Sequence, residues 1–397
     1  MTKTAANTGM VRVGLAAAVG VGAAGVAAAQ EAPQVSFGTA TATFEDGLGS
    51  MRGVRELEDG RVLIADGFGA AVIVWMPGSG ADTLTNTGRG PEEYRTPDGL
   101  FPLPDGGTLL VDLGNARLTR IEADLGFGET WPIAHGAPNT GMTMMIPVGT
   151  DRDGGIYFQR RLDGMAGTSD SAAVARFDPA SGEISEAGRV RLAEQTRVES
   201  GDANNRSVNI RPVPFSNQDA WNVAWDGRVA IARADGYRLE WMDRAGGVTR
   251  GPEIAYEPVR VRRADQDEWI EGLGGGLRVE ATDDGGGMRM SMSRAPSGSS
   301  AADPSDFEWP DVKPVIAAGA VAVDGEGRAW VRRHVPAGEP HLYDVFDAGG
   351  QRVARVELPE DRRLVTFGAA SAYLVRSDEF DFAWLEKYPM PTLPGTR

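Results

Sequence analysis

The chain has 397 residues, 40 basic and 56 acidic side chains, a net charge of −16 and no cysteine. Disulfides and thiol nucleophiles are thereby excluded. So acidic a surface repels phosphate backbones, which sets nucleic acid aside as a partner and argues against docking on anionic lipid.

Lys3 and Arg12 lead into an apolar run from Val13 to Val26, and Ala27-Ala28-Ala29 then places small residues before Gln30. This is the tripartite layout of a secretory leader. A membrane anchor is the rival reading, but the run falls short of the roughly 18–20 strongly apolar residues that span a bilayer. Cleavage after Ala29 removes two basic residues and no acid, shifting the charge to −18 and leaving residues 30–397. The protein is therefore expected to be exported, periplasmic or extracellular, with no transmembrane segment in its mature part.

Short apolar strands then recur between Gly-containing turns. Val54–Asp66, Leu100–Asp112, Val148–Phe158, Val223–Ile231 and Ala320–Val331 each read as strand, Asp-Gly turn, strand. Asp-Gly supplies the positive φ that a tight hairpin needs. The turn aspartates Asp59, Asp105 and Asp153 are 46 and 48 residues apart, close to the roughly 40–50 residues of a propeller blade. A third strand follows each hairpin, at Ala71–Trp75, Arg117–Ile121, Ala173–Phe177, Arg238–Trp241 and Leu342–Phe346. A fourth follows at 82–85, 128–133, 184–190, 248–254 and 352–358. Leu364–Phe367, Ala372–Val375 and Phe382–Tyr388 supply three strands of a sixth blade. The unpartnered stretch Gln34–Phe44 is expected to pair with 382–388 as its outer strand, closing the ring and removing exposed edges. The expected fold is all-β: a six-bladed β-propeller closed by an N-terminal strand. A β-sandwich is the structural rival.

Two insertions precede blades four and five and should emerge on one face. Residues 191–220 are polar and read as irregular. Residues 257–314 begin with a helix expected over Ala264–Leu273, where Asp265 and Glu268 have capping-box spacing. They continue through the Gly- and Ser-rich residues 283–303, so this partly helical insertion between blades four and five is expected to be partly disordered. Trp225 and Trp330 are assigned to strands of the blade core. Trp269 and Trp309, both in the long insertion, fit a docking role or an exposed platform.

Gly88-Arg-Gly-Pro-Glu-Glu-Tyr-Arg-Thr-Pro97 resembles the Gly-x-Gly-Pro-Gly-Glu-Phe-x-x-Pro segment of NHL-like six-bladed propellers, with Glu92 in place of the third Gly. Leu109–Leu118 is similar to that family's strand, Asp, Asn, Arg and strand pattern. Tyr343–Gly350 and Glu357-Leu-Pro359 resemble the closing blades of bacterial secreted six-bladed propellers. The resemblance implies the fold and says little about activity, because this scaffold serves enzymes, receptors and structural proteins alike.

Topology places the candidate ligand residues on the loop-rich face: Arg89, Glu92, Glu93, Tyr94, Asp112, Asn115, Arg117, His135, Arg160, Arg161, Arg211, His334 and His341. Glu93 and Tyr94 also suit a tie between adjacent blades, and Asp112 suits a turn in which it accepts backbone N–H groups. His334 and His341 flank one hairpin loop and could approach each other. No metalloprotease, nucleophile-elbow or phosphate-loop motif occurs. The first reading is a binding or interaction module for a protein, peptide or small ligand, needing no cofactor. The alternative is a metal-dependent lactonase-like hydrolase or lyase. Some six-bladed propellers of that kind hold a metal at the channel mouth, where Asp98 and Asn222 would be the available Ca²⁺ ligands.

Overall fold

The computed structural model describes Met1 and residues 32–84, 87–136, 142–161, 169–200, 207–273, 277–283, 288–294, 302–377 and 382–394. Apart from Met1, the proposed leader lies outside them. No helix among the described residues is long and apolar enough to cross a membrane.

Each blade grows from the same local device. In blade one, Leu57 N–H bonds Arg61 O and Gly60 N–H bonds Leu57 O, with Gly60 at φ +85°. This is a type I turn closed by a left-handed glycine. Gly106, Gly154 and Gly227 repeat it at φ +83°, +81° and +86°. The fifth turn departs from the expected Asp-Gly pair. There Asp324 N–H bonds Arg328 O, and Gly327 at φ +75°, not Gly325, takes the left-handed position. Asp324 instead opens the turn, its carboxylate accepting from Glu326 and Arg328 N–H and from Trp330 Nε1.

The strands are Met51–Glu56, Val62–Asp66, Ala71–Met76 and Gly80–Leu84 in blade one, and Pro97–Pro102, Thr108–Asp112, Arg117–Ile121 and Phe127–Pro132 in blade two. Blade three has Pro147–Thr150, Ile156–Arg161, Ser171–Phe177 and Ile184–Arg191; blade four has Ala220–Val223, Val229–Arg233, Arg238–Met242 and Val248–Arg250. Blade five has Ile316–Val323, Ala329–Arg333, Leu342–Phe346 and Arg352–Glu357; blade six has Arg362–Phe367, Ser371–Ser377 and Ala383–Pro389. Every pairing within a blade is antiparallel.

The second strand of each blade explains the core. Successive side chains point to opposite faces, so Val62 and Ile64 join a cluster with Tyr373, Val375 and Leu385 of blade six. Leu63 and Ala65 join one with Leu100, Leu110 and Ile121 of blade two. Four further clusters fill the remaining blade–blade joints. Each Val, Leu or Ile so enclosed contributes about 1.5–3 kcal/mol. The inner strands of blades one and two come closest at Gly53, where a Cβ would lie 2.7 Å from Asp98 O.

Closure uses Gln34–Phe44 differently from the expectation. Only Ala42–Thr43 forms the outer strand of blade six, antiparallel to Ala383–Pro389. Gln34–Ser36 adds a parallel fifth strand to blade five, opposite Arg355–Glu357. The reason is apolar anchoring at two separate joints. Phe37 packs in the joint of blades five and six, 5.7 Å from the Tyr388 ring. Phe44 packs in the joint of blades six and one, 5.8 Å from Trp75.

The insertions hold more regular structure than the sequence suggests. Gln195–Ser200 pairs with Ser207–Pro212 in a region read as irregular. Within the Gly- and Ser-rich stretch read as disordered, Met288–Arg294 forms a strand paired with Leu277–Asp283; residues 284–287 and 295–301 lie outside the described set. The helix spans Arg263–Glu271 with Arg262 as its cap. Asp265 is the third helical residue, not the cap, because its carboxylate accepts from Arg262 N–H at 2.7 Å and is drawn into the pair described below. Trp225 is also corrected. It sits in the turn that begins at Ala224 and is 44% exposed, rather than on a core strand.

Candidate ligand-binding site

The Gly88–Pro97 segment, which carries the family resemblance, is a joint between blades one and two. Tyr94 is fully buried, its hydroxyl accepting from Val72 N–H at 2.9 Å and donating to Leu84 O. Asp112 accepts from Arg95 and Thr96 N–H at 3.1 Å and from Asn115 Nδ2 at 2.7 Å. Asn115 also donates to Gly88 O at 2.9 Å, and Arg117 donates to Gly90 O at 2.7 Å and to Glu93 O. Glu93 turns back to accept from Gly90 N–H at 2.5 Å. The hydrogen bonds of this knot all run within the chain, Arg117 Nε lies buried 3.5 Å from Asp112 Oδ2 without a hydrogen bond among the described residues, and Arg89 and Glu92 stand exposed.

The other candidates are dispersed. His135 packs 5.2 Å from the Phe177 ring, its Nε2 buried without a hydrogen-bond partner among the described residues. Arg160 and Arg161 end the second strand of blade three, where Arg161 donates to Ser169 O at 3.4 Å. Arg211 is exposed on the hairpin before blade four. The Asp98 carboxylate is gripped at both oxygens by Arg294, at 2.7 and 2.9 Å. Asn222 donates to Val321 O at 2.9 Å and accepts from Val223 N–H at 2.8 Å. Among the described residues, no three His, Asp or Glu side chains converge as a metal centre would require.

His334 and His341 do come together. They line one cavity of about 390 Å³ between the two insertions and the start of blade five. Phe215 supplies its aromatic wall and sits at φ +47°. The left-handed region costs a non-glycine residue about 1–2 kcal/mol, and a bulky side chain there marks a position that its surroundings enforce. The Phe215 ring meets Trp269 at 6.3 Å, Trp309 at 6.0 Å and His334 edge-on at 5.5 Å. Trp269 and Trp309 cross at 5.4 Å, and Trp309 Nε1 is tied to Pro304 O at 2.7 Å.

Beneath this wall, Lys313 Nζ lies 5.4 Å from the Phe215 ring centre and 2.7 Å from Val335 O. Burial would raise the Asp265 carboxyl, but the bond from Lys313 and the N–H groups of Arg262 and Ala337 outweigh it and hold it below its ordinary range. His334 behaves in the opposite sense. Burial lowers its pKa, and Lys313 and Arg332 add repulsion, so it falls to about 4 despite the bond to Pro314 O. Burial, Arg332 and Arg363 bring His341 down to about 4 as well. Both rings are therefore neutral at pH 7. Nδ1 of His334 lies 2.8 Å from Pro314 O, which can only accept, so Nδ1 carries the proton and Nε2 is left as an acceptor. Arg332 completes the cavity at its charged end.

Phe215, Lys313 and Arg332 were not among the sequence candidates. Nothing local singles them out: each is an ordinary residue in an insertion, a connector or a strand end, and only the fold unites them.

No protein-family model matches the chain, and no curated protein matches it in sequence. Solved structures do match along most of its length. A gluconolactonase from Xanthomonas campestris is 12% identical with a TM-score of 0.42, covering 90% of this chain and 95% of its own. Virginiamycin B lyase from Staphylococcus aureus is 13% identical with a TM-score of 0.39, covering 88% and 97%. The calcium-binding protein regucalcin from Agrobacterium tumefaciens is 12% identical with a TM-score of 0.39, covering 92% and 99%. These neighbours are six-bladed propeller proteins; in this chain the six blades are five four-stranded sheets and one five-stranded sheet.

Proposed function

We propose that this propeller is an NHL-like binding module that takes a small ligand in the cavity walled by Phe215, Trp269 and His334. The strained backbone of Phe215 carries the reading. A fold retains a conformational cost of this kind where it fixes a side chain in a working position, and here that side chain fronts a cavity large enough for a compact organic molecule. The neutral histidines add polar groups that orient a ligand without the penalty of burying charge.

The ligand is proposed to bind without a metal ion. Both oxygens of Asp98 are committed to Arg294, and the Asn222 oxygen is committed to Val223 N–H. Export is proposed on the leader-like residues 1–29.

Tryptophan fluorescence of the purified protein, titrated with a panel of small aromatic and aliphatic compounds, tests the reading. Trp269→Phe and Phe215→Ala are the reference variants. Saturable quenching that is weakened in Phe215→Ala supports it. Binding that survives unchanged in Phe215→Ala moves the site elsewhere.

A further inference from the structure

The polar groups lining this cavity fall into two kinds, those the chain has engaged and those it leaves open. Lys313 Nζ is engaged by Asp265 Oδ1 and by Val335 O. Asp265 is engaged at both oxygens, since Oδ1 also accepts from Ala337 N–H at 2.8 Å and Oδ2 accepts from Arg262 N–H at 2.7 Å. Ser216 Oγ accepts from Glu194 N–H at 3.1 Å. His334 differs. Its Nδ1 proton is fixed on Pro314 O, so Nε2 is the nitrogen that carries a lone pair. Among the described residues nothing donates to that lone pair. His135 Nε2 is enclosed without a partner, whereas His334 Nε2 is not enclosed and its ring lines the cavity. At pH 7.5 even an imidazole of ordinary pKa is neutral, and the burial of this one favours the neutral form further.

The surroundings narrow what can approach. Leu273, Pro314, Ile316 and Ala317 also line the cavity, and with Phe215 and Trp269 they favour an apolar ring body. A cationic donor is disfavoured. Lys313 Nζ already stands 5.4 Å from the Phe215 ring centre, and Arg332 lines the same cavity. Glu268 lines it too, but its side chain is exposed, where water and salt screen its charge. Arg332, bonded to Ala318 O at 3.3 Å, keeps other N–H groups free to donate. An ether oxygen satisfies those as well as a hydroxyl does. His341 has no hydrogen bond that fixes its tautomer among the described residues, so it suits donors and acceptors alike. The discrimination therefore falls on His334.

We infer that His334 sets the specificity of this cavity, accepting a hydrogen bond from the hydroxyl of an uncharged phenol or ring alcohol whose apolar body lies against Phe215 and Trp269. This rests on the binding-site reading above and gives its ligand a donor group. An ether or hydrocarbon of similar shape displaces water from Nε2 and leaves the acceptor unpaired, which is the cost the site discriminates with.

Isothermal titration at pH 7.5 with 2-naphthol, naphthalene, 2-methoxynaphthalene and the cationic 2-(aminomethyl)naphthalene tests it. 2-Naphthol is expected to bind about three- to tenfold tighter than either neutral compound without a donor, the scale of one net hydrogen bond. The amine should bind more weakly than 2-naphthol. His334→Phe should bring the ratio of 2-naphthol to naphthalene affinity to about one, whereas His334→Gln, which keeps an acceptor oxygen, should retain part of it. The ratio is the readout because a merely structural loss lowers both affinities together. Nitrogen-15 NMR of the wild type needs no variant: the chain has three histidines, and one Nε2 resonance should shift with 2-naphthol but not with 2-methoxynaphthalene. Equal binding of 2-naphthol and naphthalene, or amine binding as tight as that of 2-naphthol, overturns the inference and leaves the cavity reading standing. A ratio that survives His334→Phe, or the absence of an Nε2 shift with 2-naphthol, does the same. Failure of all four compounds to bind overturns both.

Discussion

Lys313 Nζ lies 2.6 Å from Asp265 Oδ1, and the two side chains are only 3% and 1% exposed. This pair fastens the insertion helix to the connector that enters blade five, directly under the aromatic wall. Removing one partner of a buried pair strands the other charge and costs about 3–5 kcal/mol. Asp265→Asn and Lys313→Met are each expected to lower the urea midpoint accordingly, and the double variant should recover part of the loss. The pair also fixes a pH window. The folded Asp265 carboxyl lies below its ordinary value, so its contribution is complete above about pH 4 and fades only as pH falls through the folded value. Urea midpoints of the wild type and Asp265→Asn, compared at pH 7 and below pH 4, check this: the gap between them should narrow in acid.

His334 and His341 act in a higher window. Their folded pKa of about 4 lies below the ordinary 6.5, so the unfolded chain binds more protons between those values. Stability is therefore full above pH 6.5 and declines as pH falls toward 4, by about 1.4 kcal/mol per pH unit for each histidine. Urea unfolding at pH 7.5, 6 and 5 measures the slope. In His334→Gln and His341→Gln it should flatten by one histidine's share.

Tyr94 tests whether the motif segment is structural. Tyr94→Phe leaves Val72 N–H without its partner in a buried joint and is expected to cost about 1–3 kcal/mol. Ligand affinity should not change. Glu92→Ala, at an exposed site, should fall within about 0.5 kcal/mol of the parent. A fall in affinity from either variant, with the fold intact, would move the binding site to this loop.

Phe44 tests the closure. It is 4% exposed between blades six and one, and Phe44→Ala is expected to cost about 3–5 kcal/mol, as measured by thermal or denaturant unfolding. Phe37→Ala should act at the neighbouring joint, with a separate and roughly additive effect.

The absence of metal dependence is a further expectation. Neither CaCl₂ nor EDTA should move the melting temperature, since any ion bound to the native state alone would raise it by mass action.

The architecture was legible because its signals are local. Gly60, Gly106, Gly154 and Gly227 mark their turns through backbone geometry that few other residues tolerate. Runs such as Val62–Asp66 announce strands buried on both faces. The fifth turn lies two residues beyond its apparent signal because Asp324-Gly325 imitates the pair that Glu326-Gly327 supplies. Met288–Arg294 alternates methionine with polar residues as a strand does, but that signal is short and lies between Gly285–Gly287 and the Ser- and Gly-rich residues 297–300, whose composition points to disorder. The cavity is legible in the sequence only at His334, His341 and Trp269, with Trp309 packed behind them. Phe215, Asp265, Lys313 and Arg332 converge from separate segments with no shared period, and the φ of Phe215 has no sequence mark at all.

The N-terminal segment has a consequence for the order of events in folding. Thr41 N–H bonds Lys387 O at 2.7 Å, Phe44 N–H bonds Leu385 O at 2.8 Å, and the Thr41 and Lys387 partners are 346 residues apart. The seam thus joins residues made before the first blade to residues made after the fifth. Until the 383–389 strand is available, residues 42–43 have no ladder to complete and Phe44 has only part of its joint. Contacts of such sequence separation form late and slowly. The protein is accordingly a ring whose Ala42–Thr43 strand must wait for Ala383–Pro389, and a chain stopped short of residue 383 would carry two unprotected sheet edges in place of one closed seam.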